Sequence, residues 1–246
     1  MAIIGMSTAM TQPKPTTLAS HNHWLTAGNH DQLAASLALC VAAQLRNALA
    51  SQPRASLAVS GGRTPTAMLQ QLSQQTLDWH RVDVTLADER WVDEQHSASN
   101  AALVKTWLLK NNAEAATFYP LYNQAGSAEL GQAQCQQQLQ HMHWPLDVLV
   151  LGMGDDGHTA SLFPLCPALP QALSTQDLCI ATQAPADPIQ RMSLSAHALM
   201  QAQHIHLHIE GAAKLRVLQQ ATALQDGNKT PIYNFIQQPL NIHWCP

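Results

Sequence analysis

The segment 147–151, Asp-Val-Leu-Val-Leu, constrains this chain most, because four consecutive apolar residues end abruptly on Gly152, Gly154 and Gly157. A run this apolar reads as a central parallel strand buried on both faces. The glycines at its carboxyl end let backbone amides approach a ligand. The same strand-then-polar arrangement recurs where 55–59 runs into Ser60-Gly61-Gly62 and where 82–87 runs into Asp88-Glu89-Arg90. Helical patterns lie between the strands. Over 31–50, Leu33, Leu37, Val41, Leu45 and Leu49 recur every four residues and make one face. A second helix is expected to open at Pro65, with Thr64 as its cap. Residues 88–99 read as a polar loop, 101–108 and 131–142 as helices, and a short helix is expected from His158. Further strands are expected at 178–181, 192–194 and 204–209, and a helix at 212–224.

Strands alternating with helices predict an α/β protein, a three-layer αβα arrangement with a mostly parallel, Rossmann-like sheet. In such sheets ligands sit beyond the carboxyl ends of the strands, where all three polar clusters fall. With no internal repeat and no clear linker, the expected organisation is a loose leader over 1–17 and one α/β domain over 18–246. A small lobe is expected at about 160–200.

Composition narrows the partners. Hydrophobic residues are 46% and charged residues only 11%, which is ample apolar surface for a folded core. The formal net charge of −4 excludes nucleic acid as the main partner. An anionic ligand must then be held by a few well-placed cations. Five scattered cysteines without a Cys-x-x-Cys pair read as free thiols of a reducing compartment. No signal peptide and no window of membrane-spanning length is read from the chain, so the expected location is the cytoplasm with no membrane partner.

Four groups of residues carry candidate chemistry. Ser60, Gly61, Gly62, Arg63 and Thr64 form a glycine turn ahead of a helix, a cradle for an oxyanion or phosphate. Asp88 and Arg90, with Asn100 ten residues on, stand at the end of a core strand; Arg90 can stabilise negative charge while Asp88 and Asn100 orient it. His158 ends the glycine run that includes Gly154, and a neutral imidazole suits general-base work. Either Asp155 or Asp156 can fix its tautomer. Arg191 and Lys214 add positive charge for a phosphate. The chain has no Gly-x-Ser-x-Gly elbow and no Walker-type Gly-Lys-Ser/Thr, and the spacing of its glycines is wrong for a dinucleotide fingerprint. His204, His206 and His208 share one strand face by alternation. They read as a half-covered polar face, with no metal expected.

These clusters, in this order, resemble the 6-phosphogluconolactonases, a family related to the glucosamine-6-phosphate deaminases. The resemblance runs from about Trp24 to the last strand. It is strongest in Gly152-Met153-Gly154-Asp155-Asp156-Gly157-His158-Thr159-Ala160-Ser161-Leu162-Phe163-Pro164. It implies hydrolysis of 6-phospho-D-glucono-1,5-lactone, a small sugar phosphate, with no cofactor. The chain itself is expected to be a monomer or homodimer, with the sequence giving no choice between them. By the same resemblance His158 is the base that activates water, and Arg191 and Lys214 match phosphate-binding positions. The deaminases carry Asp-Glu-Tyr where this chain has Asp88-Glu89-Arg90, and Asn-Glu-Pro where it has Leu162-Phe163-Pro164. Phe163 cannot shuttle a proton, so lactone hydrolysis is favoured over amino-sugar chemistry; because every candidate catalytic position is present, it is also favoured over a non-catalytic sugar-phosphate sensor.

Overall fold

In the computed structural model, residues 14–16 and 18–246 are described; the leader expected over 1–17 lies outside them apart from 14–16. The chain runs β1 (His23–Thr26), α1 (His30–Ser51), β2 (Ala55–Val59), α2 (Thr66–Ser73), β3 (Val82–Leu86), β4 (Asp88–Arg90) and α3 (Asn100–Trp107). It continues through β5 (Thr117–Tyr119), α4 (Ala128–Leu139), β6 (Val148–Leu151), α5 (Leu169–Ser174), β7 (Cys179–Gln183) and β8 (Gln190–Leu194). The last elements are α6 (Ala196–Met200), β9 (His204–Glu210), α7 (Gly211–Leu224), α8 (Ile232–Ile236) and β10 (Asn241–Cys245).

Seven strands form one sheet in the order β1-β10-β9-β6-β2-β3-β5, and every neighbouring pair in it is parallel. Helices pack on this sheet, giving the expected α/β class. β2 and β6 are buried from end to end, as strands covered on both faces must be. Asp147, just ahead of β6, accepts the Ser56 amide at 2.7 Å and fixes the start of that pair.

α1 begins at a genuine cap, since the Asn29 side chain accepts the Gln32 amide. By length and composition this 22-residue helix could cross a bilayer, which the sequence reading overlooked. In this structure its Leu33, Leu37, Val41 and Leu45 pack into the core. Burying side chains of this kind stabilises by roughly 1.5–3 kcal/mol each.

Several expectations are corrected. The stretch 88–99 is not all loop: β4 pairs antiparallel with β8, which pairs with β7, and this three-stranded sheet stands apart from the main one. Its polar residues hid it, because Asp88 and Glu89 are charged side chains buried with hydrogen-bond partners, which no apolar pattern announces. The ladder sets Arg90 opposite Arg191. α2 starts at Thr66 with Pro65 in the cap position, and no side chain caps it, so Thr64 does not have the role expected. The helix expected from His158 does not form; the next helix begins at Leu169. Ala160 takes a left-handed backbone (φ 48°), which a right-handed helix cannot continue, and Thr159 bridges to Leu162. Finally, the histidine face of β9 is not half-covered: His206 and His208 are fully buried and only His204 is exposed.

Candidate active site

A pocket of about 240 Å³ opens at the carboxyl ends of β9, β6, β2 and β3. The sheet order places those strands side by side, so loops distant in sequence converge. Ser60, Gly61, Gly62, Arg63, Thr64, Asp88, Arg90, Asn100, Gly154, His158, Arg191 and Lys214 all line it. Asp155 and Asp156, the two candidate partners of His158, do not line it; Asp156 contacts the His158 ring.

After β2, Ser60 Oγ accepts the Gly152 amide at 3.2 Å and ties the β2 and β6 loops together. The next four amides, Gly61 to Thr64, donate to no protein acceptor among the described residues. Gly62 has φ +91°, and a Cβ on Gly61 would collide with the Asn100 side-chain amide. Unpaired amides on a glycine turn ahead of a helix form an anion-receptive concavity.

After β3, Asp88 is buried with its carboxylate accepting Ser161 Oγ at 2.5 Å, and Arg191 Nη1 lies 3.9 Å away. Asn100 Nδ2 donates to the Asp88 carbonyl at 2.8 Å, and Arg90 Nη1 donates to the Ala98 carbonyl at 2.7 Å. Glu89 turns inward. Its carboxylate accepts the amides of Arg90, Asn100 and Ala101 at 2.7–2.8 Å. Burial pushes its pKa up to about 7 even so, because those bonds only partly offset desolvation.

After β6, His158 Nδ1 lies 2.5 Å from Asp156 Oδ1, which also accepts the His158 amide at 3.0 Å. An ionised carboxylate only accepts, so the network assigns the imidazole proton to Nδ1 and leaves the Nε2 lone pair free. Burial acts to raise the Asp156 pKa, but the bonds from His158 outweigh it and hold the carboxyl below its ordinary value. Asp155 does something else, pairing with Lys214 Nζ at 2.6 Å. The ambiguity between the two aspartates is thereby resolved geometrically. Gly154 donates its amide to the His158 carbonyl at 2.9 Å, and a Cβ there would strike the imidazole.

Arg191 reaches the pocket from β8. Its Nε donates to the Pro188 carbonyl at 2.8 Å, and burial lowers its pKa, with Asp88 opposing and Arg90 reinforcing that shift. Phe163 contacts both side chains: its ring centroid is 4.5 Å from that of His158 and 5.5 Å from the Arg191 guanidinium carbon.

Sequence reasoning missed Glu210 and His208, which line the pocket at the end of β9, and His30, which touches Glu210 from α1. The pairing of His30 with Glu210 spans 180 residues, and no local pattern carries it. The three β9 histidines do not converge. His206 is engaged by Gln44 at 2.7 Å and by His243 at 2.9 Å, whereas His208 faces Glu210 at 3.2 Å.

A parallel sheet covered on both faces, with an anion-receptive pocket at its carboxyl edge, defines an α/β protein with a ligand site beyond its strand ends. The profile of the glucosamine-6-phosphate isomerases/6-phosphogluconolactonase family matches residues 28–244, and the chain belongs to that family. It is 47% identical to the 6-phosphogluconolactonase of Pseudomonas aeruginosa, over 89% of this chain and 93% of that protein. It is 44% identical to the one from Pseudomonas putida, over 87% and 89%. Among solved structures, a 6-phosphogluconolactonase from Shewanella baltica superposes with a TM-score of 0.90 at 39% identity, covering 93% of this chain and 100% of that one.

Proposed function

We propose that this chain hydrolyses 6-phospho-D-glucono-1,5-lactone to 6-phospho-D-gluconate in the cytoplasm, as a step of the oxidative pentose phosphate pathway. The observation that carries the reading is the His158–Asp156 pair, which presents an unprotonated Nε2 in a pocket rich in anion donors. The names of relatives more than 40% identical over most of the chain support the same activity.

In this mechanism His158 Nε2 takes a proton from water as the oxygen attacks the lactone carbonyl carbon. Negative charge develops on the carbonyl oxygen, where Arg90 is available to stabilise it. The ring carbon–oxygen bond then breaks, and the departing ring oxygen takes the proton back from the imidazolium. Asp156 holds the ring in the required tautomer throughout. Asp88 and Asn100 fix the geometry around Arg90 and Arg191. The phosphate is received by Arg191, Lys214 and the Ser60–Thr64 loop with its Arg63. No metal or cofactor enters this scheme.

The test is hydrolysis of freshly made lactone, followed above its spontaneous rate, in wild type and His158→Ala. General-base catalysis contributes about 10²–10⁴ in rate, so the variant should lose that much kcat. Arg191→Ala and Lys214→Ala should instead raise KM, since charge-assisted contacts are worth roughly 1.5–3 kcal/mol. Equal turnover by wild type and His158→Ala overturns the assignment of the base. Binding of 6-phosphogluconate without any turnover would make the chain a sensor, and ammonia release from glucosamine 6-phosphate would make it a deaminase.

A further inference from the structure

Glu210 poses a problem for an anion site. It is the last residue of β9, it lines the pocket, and it stands four residues ahead of Lys214 in the first turn of α7. A glutamate preceding a lysine by four residues at a helix start is the favoured order for an ion pair. Such a pair would be partly buried and would occupy the ammonium group that the phosphate requires. It is not made. Glu210 Oε1 lies instead 2.7 Å from His30 Nδ1 and 3.2 Å from His208 Nε2, and its side chain caps none of the α7 amides.

Lys214 is parked on Asp155, whose side chain is 87% exposed. Exposed pairs contribute about 0–1 kcal/mol, so an incoming phosphate displaces Asp155 at little cost. Glu210, at 24% exposure, would be a harder competitor to displace. It is also firmly ionised: the neighbouring His208 lowers its pKa most, burial acts the other way, and His30 lowers it further. Three groups therefore share two carboxylates at this corner: His30 and His208 hold Glu210, and Lys214 takes Asp155.

We propose that His30 is a positioning residue that holds Glu210 away from Lys214, keeping Lys214 available to an anionic ligand. His30 is the first residue of α1, half-exposed, and does not itself line the pocket. The inference rests on the phosphate reading of Lys214 given above, and it adds a residue from the opposite end of the chain to that site.

The test uses His30→Ala, Glu210→Gln and the double variant, with 6-phosphogluconate as the calorimetric probe and the lactone as substrate. His30→Ala should weaken 6-phosphogluconate binding and raise KM by about fivefold, the scale of a partly exposed ion pair, with kcat nearly unchanged. His30→Ala/Glu210→Gln should regain wild-type affinity, and His30→Asn, which keeps a donor near the Nδ1 position, should stay close to wild type. A His30→Ala variant that binds as well as wild type overturns the proposal, and so does a double variant that stays weak, because a merely stabilising contact would not be rescued. A crystal structure of His30→Ala decides the latch without any substrate: Glu210 on Lys214 supports it and Glu210 unmoved overturns it. If wild type binds no 6-phosphogluconate while that structure shows Glu210 on Lys214, the substrate assignment fails and the latch stands.

Discussion

His158 Nδ1 and Asp156 Oδ1 lie 2.5 Å apart, although only one residue separates them in the chain. The carboxylate holds both the ring and the backbone amide of the same histidine, so one side chain fixes where the imidazole is and which nitrogen is basic. Asp156→Ala should lower kcat by about 10², the low end of a general-base contribution, with KM little changed. Steady-state kinetics on fresh lactone checks this; a fall in kcat as large as that of His158→Ala would mean that the carboxylate does more than orient.

Gly154→Ala should disable the site without unfolding the protein. The added methyl would meet the His158 ring and Asp156, both partly exposed side chains that can shift without disturbing the core. We expect kcat to drop by an order of magnitude or more, as misplacement of a reacting group does, while the thermal midpoint moves by only a few degrees. A stable variant with full activity would show that the ring has room to spare.

Glu89→Ala should be costly in stability. It strips acceptors from three amides, of Arg90, Asn100 and Ala101, at a fully buried position. Buried donors left unpaired cost about 1–3 kcal/mol each, so a loss of roughly 3 kcal/mol or more is expected from urea denaturation. Because Asn100 in turn touches Asp88 and crowds Gly61, activity at temperatures where the variant is folded should fall as well.

Acid should destabilise the fold through two buried imidazoles. Burial depresses the pKa of His206 to about 3, with His204 adding to the effect. Burial likewise depresses His243 to about 2, helped by His206 and His208. Gln44 Oε1 only accepts, so His206 donates from Nε2 and must receive from His243 through Nδ1; a second proton on His206 would break that bond, and one on the buried His243 Nδ1 would find no acceptor among the described residues. The unfolded chain takes up those protons near pH 6.5 and the folded chain does not. This stability is therefore full above about pH 6.5 and is lost as pH falls toward the folded values, by at most about 1.4 kcal/mol per pH unit per histidine. Urea midpoints at pH 7.5 and 5 should separate for wild type and converge for His206→Gln/His243→Gln.

The parts of the fold that follow from apolar burial were legible in the sequence. β2 and β6 read as strands because both faces are covered and nearly every position is apolar, and the leucine spacing of α1 maps onto its buried face. The pocket was legible because its loops begin where those strands end. What escaped is held by polar contacts between distant segments. β4 is a strand whose residues are charged, stabilised by Ser161, Arg191 and the start of α3. The turn after His158 depends on a left-handed Ala160, a conformation that alanine does not advertise. His30 joins the pocket's edge only through tertiary contact with Glu210.

The rung of the small sheet that sets Arg90 opposite Arg191 brings two guanidinium groups together at one wall of the pocket. Left to themselves, like charges facing each other across a ladder repel. Here the work of confining them was done when the strands paired, with Asp88 as a partial counterweight. A multiply charged anion bound there would enter a potential assembled in advance, and its arrival would relieve a repulsion that folding had locked in. On the proposed reading, anion binding at this wall and cohesion of the three-stranded sheet should strengthen each other.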